Sequence, residues 1–159
     1  MSSTDVGSAA SAETPEVSSI DMNLEVVTLP VSDVDRAKEF YSRIGWRFDI
    51  DLPVSDDFRV VQFTPPHSGC SIQFGKGRTT AEPGSAQAMI LVVDDIDAAR
   101  ADLVSRGVDV SEVAVEKPPA FGDAPGRSYF ARARFADPDG NGWELQEITT
   151  RLPGREWED

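Results

Sequence analysis

Short apolar runs alternate along the chain with helically spaced segments, and this order occurs twice. Leu24–Val31 (LEVVTLPV) is β-branched and apolar, the composition of a strand. Next come Ala37, Tyr41 and Ile44, with Phe40 beside them, which recur at helical spacing and make one apolar stripe. Ser32 or Asp33 can accept hydrogen bonds from the free N–H groups at the helix start, and Asp35 adds favourable charge to the first turn. Gly45 supplies the left-handed residue that ends a helix. Trp46–Asp49, Phe58–Phe63 and Ser71–Phe74 then read as three strands, separated by the turn-rich DLPVSDD and TPPHSG. The second pass predicts a strand at Ala88–Val93 and a helix at Asp95–Arg106 that buries Ile96, Ala99 and Leu103. Strands follow at Val108–Val115, Tyr129–Phe135 and Trp143–Ile148, with a Pro/Gly-rich excursion at Glu116–Arg127 between the first two.

The recurrence is a true repeat. LPVSDVDRAKEFYSRIG at Leu29–Gly45 is written again, without gaps, as LVVDDIDAARADLVSRG at Leu91–Gly107, a constant 62 residues later. Leu29/Leu91, Val31/Val93, Asp33/Asp95, Asp35/Asp97, Ala37/Ala99 and Gly45/Gly107 are identical pairs. Each copy is a strand, a helix and three strands. A sheet that packs one face on its own helix needs a cover for the other, and the second copy is the natural one. The expected fold is therefore α+β: two tandem βαβββ modules whose sheets face each other around a central cleft, the default place for a small ligand. Module one spans residues 22–75, a polar Gly-rich linker 76–87, and module two 88–150. Residues 1–20, rich in Ser, Ala, Glu and Pro, cannot bury enough surface to offset their ordering entropy and read as a disordered tail. Residues 151–159 read as a surface tail, with Trp157 either tucked back or loose.

Composition narrows the partners. The 159 residues carry a net charge of −13, which repels nucleic acid and anionic membrane surfaces. No apolar run is long enough to span a bilayer. The N-terminus has neither the basic start nor the apolar stretch of a secretory signal, so a cytoplasmic protein is expected. Cys70 is the single cysteine and can form no internal disulfide; it reads as strand filler. His67, the single histidine, falls in the loop PPHSG and reads as solvated.

VSDVDRAKEFYSRIGW, VDDIDAARADLVSRG and FADPDGNGWELQE together resemble the vicinal oxygen chelate superfamily, which includes glyoxalases, bleomycin-resistance proteins, extradiol dioxygenases and fosfomycin-resistance enzymes. The resemblance covers residues 22–150. It implies a divalent metal at the cleft centre, held by residues of the first and last strands of each module. The first-strand positions, seven residues before Asp33 and Asp95, are here Val26 and Ala88, and neither side chain can donate an electron pair. The last-strand positions are Gln73 and Glu144. Two donors are too few for a tight protein-held site. Glu25 would need a bulge to reach Val26's face, whereas Gln146 shares the face of Glu144. The cleft is expected to be metal-free and to need no cofactor, with a rearranged divalent-metal site as the alternative.

In an apolar cleft without a cation, desolvation would raise the Glu144 pKa and suit it to acid or base work. Its alternative is an ion pair with Arg59, Arg132 or Arg134. Gln73, Thr28, Arg59, Gln146 and Tyr129 complete the candidate ligand-binding set. Arg132 and Arg134 share one face and, if inward, favour a carboxylate or phosphate on the ligand. The excursion at 116–127, flanked by Phe121, Tyr129 and Phe130, makes the helix-to-last-strand reach longer in the second copy and is a candidate lid, surface loop or dimer contact. Three functions follow. The first is a bleomycin-resistance-like protein that sequesters a small organic molecule. The second is a metal-independent isomerase or lyase using Glu144. The third is a glyoxalase-type metalloenzyme, lyase or dioxygenase, with a rearranged site. A homodimer with twofold symmetry is compatible with each.

Overall fold

A computed structural model of the chain describes residues 14–123 and 125–155. The calls on residues 1–13 and on Trp157 lie outside the described residues; residues 14–25 are exposed and carry no helix or strand. Module one contains β1 (Val26–Thr28), α1 (Val34–Arg43), β2 (Arg47–Ser55), β3 (Phe58–Thr64) and β4 (Ser71–Lys76). Module two contains β5 (Met89–Val93), α2 (Ile96–Ser105), β6 (Ala114–Val115), a short 3₁₀ turn at Pro119–Phe121, β7 (Ala131–Ala136) and β8 (Gly142–Glu147). The four-stranded sheets have equivalent orders, β1-β4-β3-β2 and β5-β8-β7-β6. In each the first strand runs parallel to the last, as a helical crossover requires, and the other pairings are antiparallel. The fold is α+β, a pair of βαβββ modules.

Both helices start as their sequences dictate. Asp33 accepts from the Arg36 N–H and Asp95 from the Ala98 N–H, each at 3.0 Å. Both helices stop before a glycine of positive φ, Gly45 at 87° and Gly107 at 85°.

Several strand boundaries move, for local reasons. The expected strand Leu24–Val31 shrinks to Val26–Thr28, although the Leu29 N–H still reaches the Gln73 carbonyl. The expected strand Trp46–Asp49 instead continues to Ser55 and takes in the segment read as a turn. Its carboxylates find partners there: Asp51 receives Arg59 and Lys38, and Asp49 receives Gln62 and Arg47. Of the expected strand Val108–Val115 only Ala114–Val115 forms a ladder: the Ser111 N–H still reaches the Arg134 carbonyl of β7, but Arg100 donates to the Val110 and Ser111 carbonyls. Ala88 and Tyr129 have φ of 58° and 72°, a left-handed backbone that excludes both from the strands expected to begin with them.

The modules meet on their helix sides and not, as expected, across open sheet faces, where Ile50, Leu52, Ile90 and Val92 stay exposed. Tyr41 of α1 packs against Trp46 and Phe74 and meets Trp143 edge-on, and Trp143 stacks on Phe135. The Trp143 indole N–H donates to the Tyr41 hydroxyl, which donates to Asp137. Burial, then the Asp137 carboxylate, pushes the Tyr41 hydroxyl well above its ordinary pKa and keeps it a donor. Asn141, also buried, donates to Asp137 and to the Pro30 carbonyl. The turn Asp137–Asn141 therefore fastens module two to the β1–α1 connection of module one.

Candidate functional site

Strand alternation assigns each candidate to a face. In sheet one, Val61 pairs with Phe74 and Phe63 with Ile72, all core residues, so Gln62 and Gln73, which pair between them, point to the opposite, open face. Thr28 pairs with Gln73 and shares that face. A chain of side-chain hydrogen bonds crosses it: Arg78 donates to the Gln73 carbonyl oxygen, the Gln73 amide donates to Gln62, and Gln62 donates to Asp49. Arg47 beside Asp49 holds that carboxyl down at about 2. Arg59 alternates onto the helix side of the sheet and is engaged by Asp51 and Asp35, so it stands apart from Gln73.

Sheet two is built the same way. Ala131, Ala133, Phe135, Trp143 and Leu145 face the core, which leaves Ile90, Val92, Arg132, Arg134, Glu144 and Gln146 on the open face. Glu144 is 7 % exposed and sits between two guanidiniums: one carboxylate oxygen accepts from Arg132 Nη1 at 2.9 Å, the other from Arg134 Nε at 3.3 Å. The Gln146 amide donates to the Tyr129 carbonyl.

The ridge formed by Arg132, Glu144 and Arg134 divides two cavities. The larger, about 760 Å³, has Arg132, Gln146 and Tyr129 at its floor, with Phe121 and Phe130 from the excursion and Leu152 from the C-terminal segment as apolar walls. Phe121 and Phe130 touch each other at a ring separation of 5.7 Å. On the far side of the ridge, about 510 Å³ is lined by Arg134, Glu144, Ala88 and Trp143. A third cavity, about 220 Å³, lies between the modules against Trp46, Leu91, Leu103 and Phe135.

Two parts of these faces, one wall of the larger cavity and one end of the polar chain on sheet one, had no clear sequence signal. Residues 151–153, read as a surface tail, form a wall because Ser128 accepts from the Thr149 and Thr150 N–H groups and the Tyr129 hydroxyl accepts from the Leu152 N–H. Arg78 falls in the segment read as a linker. The structure thus brings Glu144, Gln146 and Tyr129 together, and places Gln73 and Thr28 on the other sheet. His67 stays in an exposed loop at positive φ. Cys70 is half-buried, and burial, then the Glu25 carboxylate, raises its thiol pKa.

The Glyoxalase/Bleomycin resistance protein/Dioxygenase superfamily model matches residues 23–145. The chain belongs to this superfamily. Among solved structures of similar fold is TnmS3, an antibiotic binding protein from Streptomyces sp. CB03234. It is 30 % identical, with 84 % of this chain and 100 % of that one covered and a TM-score of 0.65. A glyoxalase/bleomycin resistance protein from the same Streptomyces is 31 % identical over 78 % of this chain and 99 % of that one, with a TM-score of 0.61. A superfamily member from Sphaerobacter thermophilus DSM 20745 is 25 % identical over 80 % and 98 %, with a TM-score of 0.62. No curated protein matches the chain.

The superfamily's metal does not fit these residues. Val26 and Ala88 offer no donor atom. Both Glu144 oxygens accept from guanidiniums, and the Gln73 carbonyl oxygen accepts from Arg78 at 2.7 Å. A cation would have to displace two arginine contacts at Glu144 or one at Gln73, and would meet their positive charge. Among the described residues, no three His, Cys, Asp or Glu side chains cluster as a metal site would need. Among the described residues, no helix is long and apolar enough to cross a membrane.

Proposed function

We propose that this superfamily member binds a small organic molecule in the cavity on the open face of sheet two, without a metal centre and without chemistry on the ligand. The observation that carries this reading is the cavity itself. Its volume of about 760 Å³ suits a drug-sized ligand, and its walls are aromatic and aliphatic with a few polar groups at the floor. The likeness to an antibiotic binding protein supports the same reading. Glu144 acts in it as a positioning residue that holds Arg132 and Arg134, in place of a proton carrier, because each carboxylate oxygen already accepts a charge-assisted hydrogen bond.

Native mass spectrometry of the full chain mixed with a panel of aromatic antibiotics tests the proposal. Retention of one molecule per chain, lost on Phe130→Ala, is the expected result. Failure of every panel member to be retained overturns it. Metal analysis is the companion measurement. One divalent ion per chain, absent from Glu144→Gln, would replace the metal-free reading with the rearranged metalloenzyme.

A second copy of the chain is the partner this reading assigns. Ile50 and Leu52 on sheet one and Ile90 and Val92 on sheet two are exposed apolar residues on open faces, and a twofold partner would cover them.

A further inference from the structure

We infer that the ligand of the larger cavity is an aromatic acid, a flat apolar body carrying an anionic carboxylate or phenolate that Arg132 receives. This rests on the reading of the cavity as the binding site and goes beyond it by naming the ligand's chemical class.

The first support is local charge. The chain carries −13 overall, yet among the described residues the cavity and its dividing ridge bring Arg132, Arg134 and Arg151 together beside Glu116 and Glu144. Cationic side chains are thus concentrated at the cavity of a chain that is acidic as a whole. A cleft lined by one sign with low-dielectric walls concentrates that field.

The second support is the geometry of Arg132. Nη1 donates to Glu144 and Nε faces the Tyr129 carbonyl at 3.4 Å, so the guanidinium plane is held from two sides. Nη2 has no partner among the described residues, and the side chain is 42 % exposed where it borders the cavity. A guanidinium fixed in this way loses little freedom on receiving an anion. Glu144 does not cancel the site, because its one charge is divided between two arginines.

The third support is what surrounds that nitrogen. Phe121 and Phe130 stand on the excursion, and Leu152 with Pro153 on the C-terminal segment. These are surfaces for a ring system, which binds through area and needs few polar partners. A cation in the same place would meet the arginines. A neutral aromatic would leave Nη2 with water alone.

Fluorescence titration of the full chain with pyrene-1-carboxylate and with pyrene-1-carboxamide reads the inference directly. The acid should bind about tenfold or more tighter than the amide at low salt, a preference that narrows as salt is raised. Arg132→Gln should remove the preference, the acid falling to the affinity of the amide, and continued binding of the amide reports that the cavity is intact. Arg134→Gln, an exposed position, should reduce the preference by a smaller factor and serves if Arg132→Gln does not fold. Equal affinity for the two probes overturns the aromatic acid and leaves the binding cavity standing. Absence of binding by both overturns the cavity reading itself. A preference that survives in both variants assigns the selectivity elsewhere and overturns the role of Arg132.

Discussion

Single side chains show how much of this molecule depends on a polar atom meeting its partner in a dry place. The Tyr41 hydroxyl links Trp143 to Asp137 inside the core. Tyr41→Phe keeps the ring and removes the link, leaving an indole N–H and a carboxylate oxygen short of one bond each. A loss of about 1–3 kcal/mol is expected, read as a lower denaturant midpoint at unchanged slope. Asp49 gives a pH-dependent case. Its folded pKa of about 2 lies below the ordinary 3.8, so the stabilisation is complete above that ordinary value and is lost as pH falls toward 2. Chemical denaturation across acid pH should show stability falling more steeply in the parent than in Asp49→Asn.

Elements explain why the fold was legible while the cavity was not. Helix periodicity, aspartate caps and terminal glycines are local signals, and the chain writes all of them twice. Strand ends were less legible because they depended on side chains far along the sequence, such as Arg100 occupying carbonyls near Val110. The alternation of Arg132 and Arg134 implied a shared face, but only the pairing of β7 with β8 says that Glu144 lies between them. Nothing in a Gly-rich linker announces that Arg78 reaches Gln73, or that residues 151–153 wall a cavity. The linker also contains a hidden constraint. Gly84 has φ of 82°, and a methyl group there would come within 2.1 Å of the Asp139 carbonyl oxygen. Gly107 has a similar φ of 85° but open space around it. Gly107→Ala should therefore cost about 1 kcal/mol, from backbone strain alone. Gly84→Ala should cost clearly more, because two backbones must separate; parallel thermal melts of the two variants compare them.

Over the whole molecule the two sheets are alike in order and differ in what their open faces hold. One carries a hydrogen-bonded polar chain from Arg78 to Asp49, the other a divided pair of cavities. Both leave apolar residues exposed, and a molar mass twice that of the chain is expected from light scattering at micromolar concentration. Leu52→Glu, on the open face of sheet one, should shift that mass toward a single chain without lowering the melting temperature of the fold.

The fastening at Asp137–Asn141 also bears on how the chain comes off the ribosome. Asn141 reaches Pro30 across 111 residues, Trp143 reaches Tyr41 across 102, and Ser32 reaches Asp139 across 107. Module one emerges first, with its helix and four strands complete, yet Tyr41 then lacks both the group that donates to its hydroxyl and the one that accepts from it. Until the last strand is translated, the helix side of module one has no lid. The nascent chain must therefore wait with its most aromatic surface uncovered, and the final thirty residues seal a core that the first half began.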